Sequence, residues 1–101
     1  GNKVAIWGAG HQALATISLT NIEKNIEYIV DSAVFKQGKY SPASHIKIVS
    51  EESLIKNPVD AVIIMAGSYS NEIQKILKNK YPKIKVAILR EYGLEIINYK
   101  I

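Results

Sequence analysis

Cysteine is absent from the 101 residues. That removes disulfides, thiolate chemistry, finger-type zinc sites and iron–sulfur clusters, so the chain must stand on an apolar core alone. Arginine is nearly absent as well: of 13 Lys and Arg, only Arg90 is arginine. Direct reading of nucleic-acid bases leans on arginine forks and aromatic platforms, so the net charge of +4 does not point to a sequence reader. The longest apolar stretch, Ala61 to Gly67, falls far below the ~20 residues that span a bilayer. No basic-apolar-small signal segment opens the chain. From these absences we expect neither a nucleic-acid nor a membrane partner, and a cytoplasmic location.

Hydrophobic residues make up 48% and charged ones 22%, ordinary figures for a globular protein, and the length allows one domain, residues 1–101. Gly1 in place of methionine, with a strand-like run already at Lys3, suggests a piece cut from a longer protein. Short apolar runs alternate with amphipathic stretches. Strands are expected at Lys3–Trp7, Ile26–Val30, Ile46–Val49, Val59–Ala66 and Val86–Leu89. Helices are expected at about His11–Thr20, from an N-cap at Ser50 to about Asn57, and from a cap at Ser68 or Ser70 to about Lys80. In the last of these, Ile73, Ile76 and Leu77 share a face, while Lys75, Lys78 and Lys80 face water. The tail from Glu91 is apolar enough to pair or pack.

Strand–helix alternation with continuous apolar strands calls for a parallel sheet covered on both faces. Right-handed crossovers then favour a Rossmann-like α/β sandwich of five parallel strands, order 3-2-1-4-5, with helices on both faces. Ligands of such sheets bind at the strand carboxyl ends, beside the switch between strands 1 and 4. There the chain places Gly8 to Gln12, Asp31 to Tyr40 and Gly67 to Tyr69 around one crevice.

Gly8-Ala9-Gly10-His11-Gln12-Ala13 is a G-x-G-x-x-A turn between a strand and a helix, suited to bring a phosphate to a helix N-terminus. Asp31, about 20 residues on, stands where a dinucleotide fold keeps its ribose-binding carboxylate. Together they support an NAD(P)-type dinucleotide module, although any strand–helix turn also favours small residues. His11 could bond a phosphate or act as an acid or base, or be an exposed polar residue. No Asp, Glu or His set has metal-ligand spacing, and no self-contained catalytic constellation is present. We therefore expect no catalytic residue and no metal.

Residues 32–45 form a long connection for a compact domain, and such loops are usually functional or disordered. Phe35 and Tyr40 are expected to anchor it, while Lys36, Lys39 and His45 offer donors to an anion. At this point the chain resembles a known family. Asp31, then Lys36-Gln37-Gly38-Lys39-Tyr40, Pro42 and His45-Ile46, are similar to the signature of the C-terminal domain of S-adenosylmethionine-dependent nucleotide-sugar C-methyltransferases. Nearly the whole chain shares the pattern, through the glycine turn, the Ser50-Glu51-Glu52 helix start and the strand after Asp60. Ala66-Gly67-Ser68-Tyr69 stands where relatives commonly carry a tryptophan.

The resemblance implies a Rossmann-like, substrate-side domain without activity as an isolated fragment, covalently joined to the methyltransferase domains of the same chain. It implies no cofactor here, with S-adenosylmethionine held in a separate domain. Its nucleotide-sugar substrate would be met by Gly8, Gly10, His11, Asp31, Lys36, Gln37, Gly38, Lys39, Tyr40, His45 and Tyr69. The competing readings are the dinucleotide module and a purely structural interaction domain.

Overall fold

The computed structural model describes residues 3–8, 26–40, 45–90 and 93–97. At its centre lie two of the most apolar runs, β1 (Val4–Trp7) and β4 (Ala61–Ile64), parallel and in register from Val4 against Ala61 to Trp7 against Ile64. β2 (Ile26–Val30) pairs with the free side of β1, and β3 (Ile48–Val49) with β2. β5 (Lys85–Arg90) pairs with β4. All these pairings are parallel, and the order 3-2-1-4-5 is as the sequence suggests. A crossover out of each carboxyl end brings the loops after β1, β2 and β4 to one rim of the sheet.

The sheet differs from the expectation in one strand. β6 (Gly93–Ile97) extends the order to β3-β2-β1-β4-β5-β6 and runs antiparallel to β5, from Val86 against Ile97 to Arg90 against Gly93. It is therefore a mixed, six-stranded sheet rather than five parallel strands. Only residues 91 and 92 separate β5 from β6. A parallel return needs a crossover of a dozen residues or more, so the apolar tail folds straight back.

Alternate side chains divide between two cores, as the two-residue period of a strand requires. Trp7, Tyr28, Val30, Val62, Ile64, Val86 and Ile88 pack together on one face; Ile6, Ile29, Ile46 and Ile48 pack on the other. Two described helices, α1 (Ser53–Lys56) and α2 (Ser70–Lys80), both cover the first face through their buried leucines, Leu54 and Leu77. Helices on both faces are thus replaced, among the described residues, by helices on one face. The helix expected over His11–Thr20 lies outside the described residues.

α2 has the expected apolar face, with Ile73 and Ile76 packed beside Leu77 and with Lys75, Lys78 and Lys80 exposed. Its start does not follow the serine-cap expectation. A 3-10 turn over Gly67–Tyr69 leads directly into the helix, and the cap position, Tyr69, makes no side-chain bond. Ser70 is already inside the first turn and is buried, its hydroxyl without a partner. Similarly, Glu52 rather than Ser50 occupies the cap position of α1; Ser50 takes part through its carbonyl, which accepts the Ser53 N–H. That helix ends at Asn57, before Pro58, as the backbone restriction preceding proline requires.

Candidate functional site

Gly8 lies where three strands converge. Its N–H donates to the Val30 carbonyl at 2.7 Å, and its φ is +120°. A Cβ built there would come within 2.6 Å of the Met65 carbonyl oxygen. The position thus requires glycine on two counts, a backbone conformation that L side chains rarely adopt and a close approach to the chain leaving β4. The same contacts bring the turn after β1 beside the start of the loop after β2.

That loop is built by hydrogen bonds around Asp31. The Asp31 N–H donates to the Val49 carbonyl at 3.0 Å, fixing the residue to the end of β3. One carboxylate oxygen accepts the Ala33 N–H at 2.8 Å, the local turn in which aspartate excels. The other lies 3.7 Å from Lys36 Nζ, with both side chains partly exposed. A 3-10 turn over Val34–Lys36 follows, after which Gln37 donates its side-chain amide to the Asp31 carbonyl at 2.8 Å. The Gly38 N–H then reaches the Ile48 carbonyl, and the Ile48 N–H returns to the Lys39 carbonyl, both at 2.8 Å. Tyr40 forms an antiparallel bridge with Lys47.

The Lys36–Tyr40 motif is therefore ordered through its backbone, its aspartate and its glutamine. The expected apolar anchoring is overturned: Phe35 is 72% exposed and Tyr40 61% exposed. Polar bonds to β3 close the loop, so neither ring has to be buried to hold it. His45 re-enters the chain at φ +56°, a left-handed conformation that histidine tolerates better than most residues, with its side chain exposed.

Asp31, Lys36, Gln37, Gly38, Lys39 and Tyr40 thus share one hydrogen-bonded loop, with Gly8 bonded to Val30 at its start and His45 leading into β3. Tyr69 is on the same rim, on the turn leaving β4, and is exposed. Gly10 and His11 lie outside the described residues. For the dinucleotide reading the geometry is unhelpful, because the Asp31 carboxylate is already committed within its own loop. Among the described residues, no group of three or more His, Asp or Glu is placed to hold a metal, and no helix is long and apolar enough to cross a membrane.

Sequence reasoning missed two features. Arg90, at the end of β5, bonds Glu95 of β6 at 3.1 Å and the side chain of Asn71 in α2 at 2.9 Å, so the chain's one arginine is structural. A cavity of about 480 Å³ opens on the helical side, lined by Leu54, Val59, Asp60, Tyr81, Pro82 and Ile84.

Comparison with solved structures yields the same architecture. UDP-D-quinovosamine 4-dehydrogenase from Vibrio fischeri superimposes with a TM-score of 0.71 at 16% identity, over 96% of this chain and 93% of that one. RSP, a Rex-family repressor, gives 0.65 at 19% identity over 99% of this chain and 48% of that one. RSP in complex with β-NAD+ and operator DNA gives 0.59 at 18% identity over 99% and 46%. At such identities the likeness shows a shared Rossmann-like fold. No curated protein sequence matches the chain. The C-methyltransferase C-terminal domain family matches residues 1–86, which include the glycine turn, the Asp31 loop and the strand after Asp60, and the chain belongs to that family.

Proposed function

We propose that this domain forms one wall of a nucleotide-sugar site in an S-adenosylmethionine-dependent sugar C-methyltransferase, and that it carries no catalytic residue of its own. The observation supporting this most directly is the loop 31–40, closed by hydrogen bonds at the carboxyl rim beside Gly8. It presents the exposed Lys39 as a donor for a diphosphate, with Lys36 beside it, ion-paired to Asp31, and His45 close in sequence. The methyl donor would be held by another domain of the same cytoplasmic chain. In a Rossmann-like turn an adenosine ribose would seek the Asp31 carboxylate, and that group already holds the Ala33 N–H and faces Lys36. The same commitment makes a dinucleotide module the weaker reading. UDP-D-quinovosamine 4-dehydrogenase, which shares the fold, bears the name of a nucleotide-sugar enzyme, in keeping with the family's chemistry.

The test is a titration of the domain with UDP- and dTDP-sugars, followed by backbone amide shifts. Shifts on Gly8 and on residues 36–45 are expected, and Lys39→Ala should weaken binding by roughly 1–3 kcal/mol, the range for a hydrogen bond to a charged group. Shifts confined to the lysine face of α2, or none at high ligand, would overturn the site. Methyl transfer by the domain alone would overturn its non-catalytic role. Tight NAD binding that disappears in Asp31→Ala would restore the dinucleotide module.

A further inference from the structure

We propose that Phe35 is the stacking platform for the base of the bound nucleotide, an inference that rests on the nucleotide-sugar reading above and assigns its aromatic subsite. Phe35 is the chain's only phenylalanine, and it is not used in either core. Its ring stands out from the 3-10 turn Val34–Lys36 at the carboxyl rim, 72% exposed, with Val34 beside it 78% exposed. The turn beneath them is not loose. Asp31 and Gln37 brace it on both sides, and the Gly38–Ile48 and Lys39–Ile48 bonds tie its far end to β3.

A ring exposed on a floppy loop needs no explanation, but one held outward by a braced turn loses the burial available to it and is poised for a partner. The charge around it selects the partner's chemistry. Lys36 Nζ lies 5.8 Å from the ring centroid; Lys39, on the same loop, and Lys47, just before β3, are exposed. An aromatic face beside cations matches a ligand that joins a flat π-system to negative charge, as a nucleoside diphosphate does. A base would lie on the free area of the ring while the phosphates meet the ammonium groups. Stacking needs no hydrogen-bond readout, so this subsite would accept uracil and thymine alike.

The experiment uses the chain labelled with fluorophenylalanine, which gives a single fluorine resonance because there is a single Phe. UDP, dTDP and inorganic pyrophosphate are titrated separately while backbone amides are followed. The expected result is that both nucleotides move the fluorine signal and the amides of residues 36–40, whereas pyrophosphate moves the amides only. Phe35→Ala should weaken UDP roughly 5- to 150-fold, the alanine-substitution range for base stacking, leave pyrophosphate unchanged, and be rescued by Phe35→Trp. If nucleotides move the amides while the fluorine signal stays still and Phe35→Ala binds normally, the stacking role is overturned and the nucleotide-sugar site stands. If Phe35→Ala weakens UDP and pyrophosphate equally, the ring is a scaffold and the proposal fails. A fluorine signal that ignores nucleotides but shifts with protein concentration would give the ring to a second copy of the chain instead. If no probe moves any amide of residues 36–40, the underlying site falls with it.

Discussion

The loop after β2 and the joint between α1 and the end of α2 solve the same problem in opposite ways. The loop is ordered by polar bonds and turns its rings outward: Phe35 and Tyr40 are exposed. The helical joint is ordered by apolar burial and draws its rings inward. Tyr28 is buried, and its hydroxyl donates toward the carbonyls of Ser53 at 3.1 Å and Asn57 at 2.7 Å, at the two ends of α1. Tyr81 donates to Glu51 at 2.9 Å, on the carboxylate oxygen that Lys80 also approaches at 3.3 Å. Where the ring's polar tip finds a backbone or carboxylate acceptor, burial stabilises the fold. Where the backbone is already closed, the ring is left for something else. Buried and exposed rings are therefore found in different regions around one sheet.

The largest effect on that division should come from Gly8. Gly8→Val adds positive-φ strain and a clash with the Met65 carbonyl, together about 2–6 kcal/mol. Urea unfolding should register it, and an unchanged midpoint would show that the turn tolerates a side chain. Next comes Leu77→Ala in the helical core, fully buried in the native chain, for about 2–5 kcal/mol. It should leave the affinity for nucleotide of the remaining folded protein intact. A large loss of affinity instead would mean the two regions are coupled.

Asp31→Ala sharpens the contrast further. Simple electrostatics predicts that removing an anion beside a phosphate site strengthens phosphate binding. If Asp31 acts by shaping the loop, the substitution should weaken it, with about 1–3 kcal/mol of stability lost from its unmade hydrogen bonds. Calorimetry with UDP decides by its sign alone.

A smaller effect is expected from pH. Burial above all, then the charges of Glu27 and Tyr81, pushes the Tyr28 hydroxyl from its usual 10 up to about 12. The unfolded chain releases that proton first, so the stabilising contribution is complete below pH 10 and is lost as pH rises toward 12. Burial also raises Tyr81, and the bond and charge of Glu51 add to the shift, so it acts in the same direction. Unfolding midpoints should decline across this window and decline less in Tyr28→Phe. The smallest effect belongs to Lys80→Ala, whose exposed pairing with Glu51 should be worth well under about 1 kcal/mol. A greater loss would give the helical joint an ionic lock that its exposure does not suggest.

Most of the sheet was legible because its strands are continuous apolar runs: β2 was read to its exact ends, and the order of the five parallel strands followed from crossover handedness. β6 escaped, since a sparse apolar tail does not announce which way it will pair. Of the site, the Asp31–Tyr40 loop is readable as a motif, with Asp31 as its first residue as well as a ribose candidate. Its spacing from the glycine turn suggested a ribose ligand, whereas its carboxylate caps its own loop. Phe35 was misread because a lone aromatic among lysines gives no period. Whether it faces in or out depends on bonds from Gln37 and Gly38 to carbonyls of Asp31 and of Ile48, the latter ten residues beyond Gly38, which no local pattern encodes.

The reversal at β6 has a consequence for the order of assembly. Each parallel pairing requires an intervening crossover to close first, which is slow and demands distant parts of the chain. β6 needs only the two residues after Arg90 and can zip onto β5 on the microsecond scale of an isolated hairpin, with the Arg90–Glu95 bond as its local clasp. It can therefore shield the open side of β5 before the rest of the sheet is complete. During synthesis or refolding, this reduces the time for which that strand can pair with another chain.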